Sequence, residues 1–195
     1  MKMTLGKRMG ERMGESFFVP FRFGVLIVLL FLVQEVFRID LAFLGIFPMK
    51  IKFLHGVLFS PLIHGNVLHL ISNLIPFLVL GTSLYFFYDK VADRVILQCY
   101  LFTNLIVWFA GRPYFHIGAS GLVYGLAFFM ISLGVFRGTV KSIIISFITI
   151  FLYGGIIYGV LPTEKKISWE SHLAGTAVGI VSAFQVSRKR KISSF

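Results

Sequence analysis

The chain alternates between long uncharged apolar segments and short segments that carry its charges. Six apolar segments are each close to the ~17–25 residues that an α-helix needs to cross a bilayer. They cover residues 21–37, 64–87, 95–111, 118–136, 142–161 and 171–186. Only helices or closed barrels cross a bilayer, and these segments lack the two-residue alternation of strands. The pattern therefore predicts an all-α membrane protein with a bundle of six transmembrane helices.

The remaining segments suggest one membrane domain with two tails. Residues 1–19 are polar, basic and rich in Gly and Met, and we interpret them as a short N-terminal tail. Residues 20–188 form the predicted membrane domain, and residues 189–195 form a C-terminal tail. Residues 38–63 are apolar but interrupted by two prolines, which is typical of a structured loop lying partly in the interface. No small-residue cleavage site follows the first apolar segment, so we interpret it as a retained span.

Composition supports the membrane interpretation. Hydrophobic residues make up 57% of the 195 residues, whereas soluble domains have about 45–50% by a comparable count. The formal net charge is +11. The basic residues lie between apolar segments and at both ends, which favours a membrane protein over a nucleic-acid-binding protein. Cys99, the only cysteine, lies in an apolar segment, so a packing role is expected rather than a disulfide.

The distribution of Lys and Arg predicts the orientation. With the N-terminus in the cytoplasm, 13 of the 19 basic residues lie on the cytoplasmic side and six lie outside. The thirteen are Lys2, Lys7, Arg8, Arg12, Arg22, Lys90, Arg94, Arg137, Lys141, Arg188, Lys189, Arg190 and Lys191. The positive-inside rule therefore predicts that both termini are cytoplasmic, which requires an even number of spans.

Polar residues within the apolar segments converge at one end of this topology. The second, fourth and sixth predicted helices all begin at the outer surface. Their outer parts carry His64, His69 and Asn73 on the second helix, Ser120 on the fourth and His172 on the sixth. At a rise of about 1.5 Å per residue, Ser120 and His172 lie at nearly the same depth. Polar residues at such positions are costly and usually functional.

Glycine spacing predicts that two of these helices touch. Gly121 and Gly125 follow the serine at a four-residue interval, and Gly175 and Gly179 follow the histidine in the same way. Small residues at this spacing let helices approach closely. We therefore expect contact between the fourth and sixth helices beside the serine and the histidine. The fifth helix carries three glycines, among them Gly159, and is expected to pack loosely.

These residue types predict acyl-transfer chemistry. A serine hydroxyl becomes an effective nucleophile when an adjacent base takes its proton, and imidazole titrates near neutral pH. Ser120 is therefore the candidate nucleophile and His172 the candidate general base. His69, the Asn73 amide and the Ser120 backbone N–H are candidate donors to an oxyanion. No Asp or Glu lies at the matching depth in these three helices, so a dyad is expected, with Tyr124 packing on the imidazole.

Three motifs occur in a fixed order along the chain. They are His64-Gly-Asn-Val-Leu-His69-Leu-Ile-Ser-Asn73, Gly118-Ala-Ser120-Gly121 and His172-Leu-Ala-Gly175-Thr-Ala-Val-Gly179. In this combination the chain resembles the rhomboid intramembrane proteases over about residues 20–188. The resemblance implies the minimal six-helix bacterial form, a Ser120–His172 catalytic dyad, and His69 and Asn73 at the oxyanion. It also implies substrates that are membrane proteins with a single span, cut near its outer end.

The predicted site also includes four supporting residues: Gly118, Gly121, Tyr124 and His64. For His64 two roles stay open, orienting the loop or holding a water molecule. The chain departs from the family pattern in two places. Family members often carry Trp-Arg in the first loop, where this chain has His55-Gly56, and many have a Glu near the cytoplasmic end of the second helix, where Tyr85 stands. Both departures concern the architecture more than the chemistry.

The sequence disfavours some other functions and leaves one main alternative open. The zinc motif H-E-x-x-H is absent from the sequence, and no second intramembrane aspartate accompanies Asp89, which disfavours metallo- and aspartyl proteases. A non-enzymatic metal site from His64, His69 and His172 is conceivable, although positions five apart do not share a helix face. The main alternative is a catalytically inactive relative that binds membrane clients for quality control. A small transporter would need an intramembrane path of charges that the sequence lacks.

The predicted partners are single-span membrane protein substrates and membrane lipid, with no cofactor, no metal and no nucleic acid. The predicted location is a bacterial inner membrane. The basic C-terminal tail is expected to meet anionic lipid. The sequence does not define an oligomeric state.

Overall fold

The computed structural model describes residues 5–161 and 168–192. Within these ranges the chain is almost entirely helical, as the sequence pattern predicts, and the described residues contain no β-strand beyond one isolated bridge. The α-helices are α1 (Leu5–Phe37), α2 (Gly56–Phe59), α3 (Val67–Ala110), α4 (Ser120–Arg137), α5 (Val140–Tyr153) and α6 (Trp169–Ile192). Short 3₁₀ helices cover Ala42–Leu44, Ile51–Phe53, Ser60–Leu62 and Gly154–Val160.

Helix α3 is a hairpin of two arms. Its 44 residues are too long for one crossing, since about 20 residues span the hydrocarbon core. Tyr88 has non-helical backbone angles (φ −138°, ψ 35°) and divides the helix into a first arm, 67–87, and a second arm, 89–110. Phe23 of α1 contacts Phe77 and Tyr100, with ring centroids 5.1 Å and 5.8 Å away. Because these two rings lie at similar sequence distances from Tyr88, the arms run antiparallel.

The two arms of α3 and helices α1, α4, α5 and α6 make the six-helix membrane bundle. Its connection at Tyr88 is shorter than the gap predicted between residues 87 and 95. Two other limits differ more. Helix α1 already begins at Leu5 instead of residue 21, so the described part of the predicted N-terminal tail is helical. The fifth helix ends as an α-helix at Tyr153, and Gly154–Val160 continues it as a 3₁₀ helix.

The bundle has two ends, which we call the serine end and the basal end. The serine end is where α4 begins at Ser120, and the basal end is where α4 finishes at Arg137. Arg12 of α1 donates to the Phe86 carbonyl (2.9 Å), beside the turn of α3. Gln34, near the other end of α1, donates to the His64 carbonyl (3.1 Å). Helix α1 therefore runs from the basal end to the serine end, and α6 runs in the opposite direction.

Helix α4 lies at the centre of the bundle. Its buried apolar side chains, among them Leu126, Phe129 and Leu133, pack against α3, α5 and α6 in one core cluster. Cys99 is fully buried in the same cluster, in the packing role expected for it. The outer faces of the bundle are apolar instead of charged, as shown by Phe147 and Phe151 of α5, which are 69% and 82% exposed. Such faces suit a lipid environment.

Within residues 5–161 and 168–192, three helical segments are long and apolar enough to cross a membrane by themselves. They are Gly10–Phe37, Val67–Ala110 and Ser120–Arg137, and α5 is shorter. The second of these segments is the α3 hairpin, which supplies two crossings. Length and composition thus support an integral membrane protein.

The loop between α1 and α3 folds against the serine end. Ile46 and His116 form a two-bond antiparallel bridge, with N···O distances of 2.9 Å and 2.8 Å. Gly118 N donates to the Ser60 carbonyl (2.8 Å). This loop therefore holds the segment that precedes Ser120.

Candidate active site

Ser120 is the first residue of α4. The first α-helical hydrogen bond runs from the Val123 N–H to the Ala119 carbonyl (3.0 Å), so the N–H groups of Ser120 and Gly121 have no helical acceptor. Gly118, just before the helix, has a φ of +105°, a conformation that L side chains rarely adopt. The serine thus stands at a helix N-terminus, where free N–H groups favour negative charge.

The His172 imidazole is held from two sides. Its Nδ1 lies 2.7 Å from the Gly159 carbonyl oxygen. Since a carbonyl only accepts, Nδ1 carries the proton and donates, which leaves Nε2 with a lone pair. The ring stacks on Tyr124 with centroids 4.1 Å apart and planes inclined by 4°. Tyr124 lies one helical turn after Ser120, so the stack places the imidazole on the α4 face that carries the serine.

Glycines bring α4 and α6 into backbone contact, as their spacing predicts. A Cβ added at Gly175 would overlap the Gly121 carbonyl oxygen, and a Cβ at Gly179 would overlap that of Gly125. The two helices meet directly beside Ser120 and His172. Within the described ranges no hydrogen bond joins these two side chains. Catalytic hydrogen bonds are often long in ligand-free structures and shorten in the complex.

Gly159 is packed more tightly than the sequence suggested. A Cβ at this position would overlap the Tyr124 hydroxyl and lie 3.2 Å from His172 Nδ1. By contrast, Gly155 has nothing within 4 Å of such a Cβ. The expectation of loose packing therefore fails at Gly159, because its carbonyl must approach the imidazole closely.

His69 and Asn73 of α3 lie against the segment that leads to Ser120. A Cβ at Gly118 would be 2.5 Å from His69 Nε2 and 3.7 Å from Asn73 Nδ2. His69 Nδ1 accepts from the Gly65 N–H (3.5 Å), which leaves Nε2 as the protonated nitrogen. Asn73 Nδ2 donates to the His69 carbonyl (2.8 Å), and an amide has a second N–H to offer. Both side chains therefore have donors beside the serine segment.

His64 lies under this group. It is 1% exposed, its ring centroid is 5.0 Å from that of His69, and its Nε2 accepts from the Ala119 N–H (3.4 Å). Burial is the main cause that lowers the pKa of His64 to about 4, with the charge of His69 adding to it. His64 is therefore neutral near pH 7. Its contact with the residue preceding Ser120 suits a loop-orienting role, and its buried Nδ1, which has no hydrogen-bond partner among the described residues, suits a water-holding role, so both roles stay open.

Sequence reasoning missed an ion-pair cluster at the N-terminus of α6. Arg112 forms a salt bridge with Glu170, and the Arg112 N–H and Nη2 are 3.3 Å and 3.1 Å from the carboxylate oxygens. Tyr114 donates to the same carboxylate (3.2 Å). Glu170 is 8% exposed and precedes His172 by two residues, but its hydrogen bonds go to this cluster. The pairing joins the α3–α4 connection to α6.

His116 joins the same two segments. Its Nε2 donates to the Arg112 carbonyl (3.0 Å), and its Nδ1 is 2.6 Å from the Ser168 hydroxyl. The Ser168 hydroxyl is also 2.6 Å from that of Ser171. In the sequence, His116 is a loop histidine without a partner at helical spacing, so only the folded structure reveals this contact.

The two departures from the family pattern have structural counterparts. His55 Nε2 donates to the Phe43 carbonyl (2.9 Å) within the first loop. A Cβ at Gly56 would be 2.6 Å from the Ile46 nitrogen, so only glycine fits this contact. Tyr85 donates to Asp93 (2.5 Å), which links the two arms of α3 beside their turn.

Comparison with known proteins identifies relatives over most of the chain. Residues 52–189 match the family model described as Rhomboid domain. An uncharacterized protein of Mycobacterium bovis is 34% identical over 182 residues, which cover 85% of this chain and 72% of the relative. An uncharacterized Mycobacterium tuberculosis protein matches with the same values, and one from Mycobacterium leprae is 34% identical over 176 residues. The matched range includes every residue of the predicted site.

Proposed function

Because this chain belongs to the rhomboid family, we propose that it is an intramembrane serine endopeptidase that works through a Ser120–His172 dyad. The family acts on membrane proteins within the bilayer. The finer proposal is that the substrates have a single span and are cut near its outer end. In the same proposal the serine end faces outward, both termini are cytoplasmic and the membrane is a bacterial inner membrane.

The observation that carries the proposal is the state of the His172 imidazole. A general base for Ser120 needs a free nitrogen lone pair on the side of the serine and a fixed ring. The bond from Nδ1 to the Gly159 carbonyl supplies the tautomer, and the Tyr124 stack fixes the plane. A histidine that only joins two helices would have no need for an unprotonated Nε2 that is free to accept a proton.

The proposed reaction has two halves. The Ser120 hydroxyl attacks the scissile carbonyl carbon while its proton passes to His172 Nε2. The tetrahedral intermediate then collapses, the C–N bond breaks, and the imidazolium gives the proton to the leaving amine. Water attacks the resulting ester with His172 again as base, which releases the acid product and restores the serine.

The proposed oxyanion site lies between α3 and the start of α4. The negative oxygen forms as the intermediate forms, so fixed donors there stabilise the transition state more than the substrate. Ser120 N–H, His69 Nε2–H and the second Asn73 N–H are the donors. Removing one such donor typically costs about 10²–10³ in rate.

The direct test expresses the protein with a panel of single-span reporters. We expect Ser120→Ala and His172→Ala each to abolish cleavage while the protein still inserts, because residues that act as a unit fail together. Ser132→Ala, on the same helix α4, is the matched control and should cleave like the wild type. Cleavage by Ser120→Ala at the wild-type rate would refute the assignment.

The same experiment separates the protease from the client-binding alternative. A protease cleaves at least one reporter in the panel, and a serine-directed fluorophosphonate labels the wild type but not Ser120→Ala. If wild-type protein takes no label, cleaves no reporter, and retains reporters equally with and without Ser120, the client-binding function is the correct one.

A further inference from the structure

A cavity of about 650 Å³ opens at the basal end, opposite Ser120 and His172. It lies where the turn of α3 meets the α4–α5 connection and α6. Among the described residues lining it are three cations, Lys90, Arg137 and Lys141, and one carboxylate, Asp89. The net lining charge is therefore positive, and the site is built from three separate segments of the chain.

Helix α5 directs its N-terminus into this cavity. The helix has 14 residues, and its N-cap residue Thr139 and its residue Ser142 both line the cavity. Free N–H groups at a helix N-terminus attract anions. The cap uses one of them, since Thr139 accepts from the Ser142 N–H (3.3 Å).

A buried polar group also points to a ligand here. Tyr88 lines the cavity, is 6% exposed, and its hydroxyl has no hydrogen-bond partner among the described residues. A buried hydroxyl without a partner is costly. Arg137 and Lys141 lie 5.7 Å and 5.6 Å from the Tyr88 ring centroid, so the hydroxyl-bearing ring and two cations are close together.

A shallow apolar groove of about 50 Å³ adjoins the cavity at Phe87. This side chain lines both the cavity and a groove between the first arm of α3 and α5, whose walls include Leu80, Ile145 and Ile148. Ile148 is 50% exposed. A free phosphate would use the cavity alone, whereas an amphiphile with a phosphate and an acyl chain would use both.

We propose that the basal cavity binds an anionic phospholipid, with its phosphate at Lys90, Arg137 and Lys141. The first carbons of one acyl chain then lie against the shallow groove beside Phe87, and the rest of the chain continues into the surrounding lipid. Basic pockets between membrane helices are suited to anionic headgroups. The site is independent of the proposed protease function, because it lies at the other end of the bundle and shares no residue with it.

The test measures lipid binding to the full-length protein in neutral detergent. Phosphatidylglycerol and phosphatidylcholine of the same chain length are added, and the shift in Tm and the lipid retained in native mass spectrometry are recorded. We expect phosphatidylglycerol to raise Tm and phosphatidylcholine to leave it unchanged. Lys90→Gln with Lys141→Gln should weaken its binding about 30-fold, at ~1 kcal/mol for each charge. Lys50→Gln with Lys52→Gln, at the serine end, removes the same charge and should bind like the wild type.

Two further arms identify the ligand. Short-chain phosphatidylglycerol and inorganic phosphate at the same concentration should stabilise less than the long-chain lipid, because they leave the groove empty. Equal stabilisation by inorganic phosphate would reduce the site to a simple anion site and refute the proposal. The proposal would also be refuted if phosphatidylglycerol shifted Tm equally in the two double variants, or if phosphatidylglycerol and phosphatidylcholine shifted the Tm of the wild type equally. If the Lys90 and Lys141 double variant does not fold, the exposed Lys90→Gln alone gives the same comparison with Lys50→Gln.

Discussion

Folding changes the protonation of the His64 imidazole, which lies in the loop before α3. In the unfolded chain its imidazole is expected to titrate near the usual pKa of about 6.5, whereas burial lowers the folded-state pKa to about 4. The folded protein therefore binds fewer protons than the unfolded chain between these values. The contribution of His64 to stability is complete above about pH 6.5 and declines as pH falls towards 4.

We predict that His64→Gln reduces the loss of stability between pH 7 and pH 5. The amide is neutral throughout and keeps an acceptor for the Ala119 N–H. Thermal unfolding in detergent at both pH values checks this, with His55→Gln in the first loop as the control histidine. A drop in Tm from pH 7 to pH 5 that is equal in the wild type and His64→Gln would show that His64 is not the sensitive group.

At the scale of elements, the contact between α4 and α6 decides whether the candidate site is assembled. The obstacle at Gly175 is the backbone oxygen of Gly121, not a side chain that can rotate away. An added methyl group must therefore push the two helices apart. Because Ser120 and His172 stand on these helices, a change in stability and a change in activity should occur together.

We predict that Gly175→Ala destabilises the protein by about 1–3 kcal/mol, in the range of overpacked cores, and sharply lowers reporter cleavage. Gly14→Ala on α1 is the matched control, since a Cβ there meets nothing within 4 Å. Alanine is the better helix former by about 1 kcal/mol, so the control should be neutral or more stable. Thermal unfolding and cleavage assays measure both. A Gly175→Ala variant as stable and active as Gly14→Ala would contradict the close contact.

The Arg112–Glu170 pair acts at the same scale, because it fixes the first turn of α6 to the α3–α4 connection. We predict that Glu170→Gln destabilises the protein by about 1.5–3 kcal/mol, the range for hydrogen bonds to charged groups, and slows cleavage by displacing His172. Glu35→Gln, at an exposed position on α1, removes the same charge and serves as the control. The Arg112→Gln variant should also be less stable than the wild type, and combining both changes should add little to the loss caused by Glu170→Gln, which a double-mutant cycle measures. Additive losses would exclude the coupling.

At the scale of the whole molecule, the directions of the helices place the first and the last described residues at the basal end. Arg12 lies near Phe86, and Gln185 of α6 accepts from Arg94 (2.7 Å) just after the α3 turn. This geometry fits the even number of crossings that the positive-inside rule requires. Which side of the membrane the basal end faces stays a prediction from the charges.

We predict that a reporter fused after Phe195 reads as cytoplasmic and that a tag inserted beside Lys50 reads as external. Alkaline phosphatase and fluorescent-protein fusions give opposite signals on the two sides and measure this directly. A matching fusion truncated after Gly138 should again be cytoplasmic, because α4 ends at the basal end. An external signal from Phe195 would reverse the proposed orientation.

Two independent sequence signals predicted that the catalytic candidates Ser120 and His172 lie close together. Charge bias gave the direction of each span, and a four-residue glycine interval gave the α4–α6 contact that the structure contains. The partners of Gly159, Arg112 and Glu170 were not predictable in this way. They depend on how loops and a 3₁₀ segment fold over one another, and no regular spacing encodes such contacts.

The predicted helix limits were wrong where packing between helices overrides the local preference of the sequence. Tyr88 turns α3 within one residue, although the polar residues after it suggested a longer gap. The first helix, predicted to begin at residue 21, continues through Pro20 towards the N-terminus. A Cβ at Gly81 would lie 3.0 Å from the Pro20 ring, so the proline is accommodated by a neighbouring helix that offers glycine.

The turn at Tyr88 has a consequence for where this chain tolerates change. At the basal end the chain reverses at Tyr88 and at Gly138–Thr139, so each connection is one or two residues long. At the serine end the connections are long, as residues 38–66 illustrate. Insertions, deletions and substitutions between helices should therefore be tolerated at the serine end and not at the basal end. Relatives of different length should differ between helices mainly at the serine end, while the opposite turns keep their length.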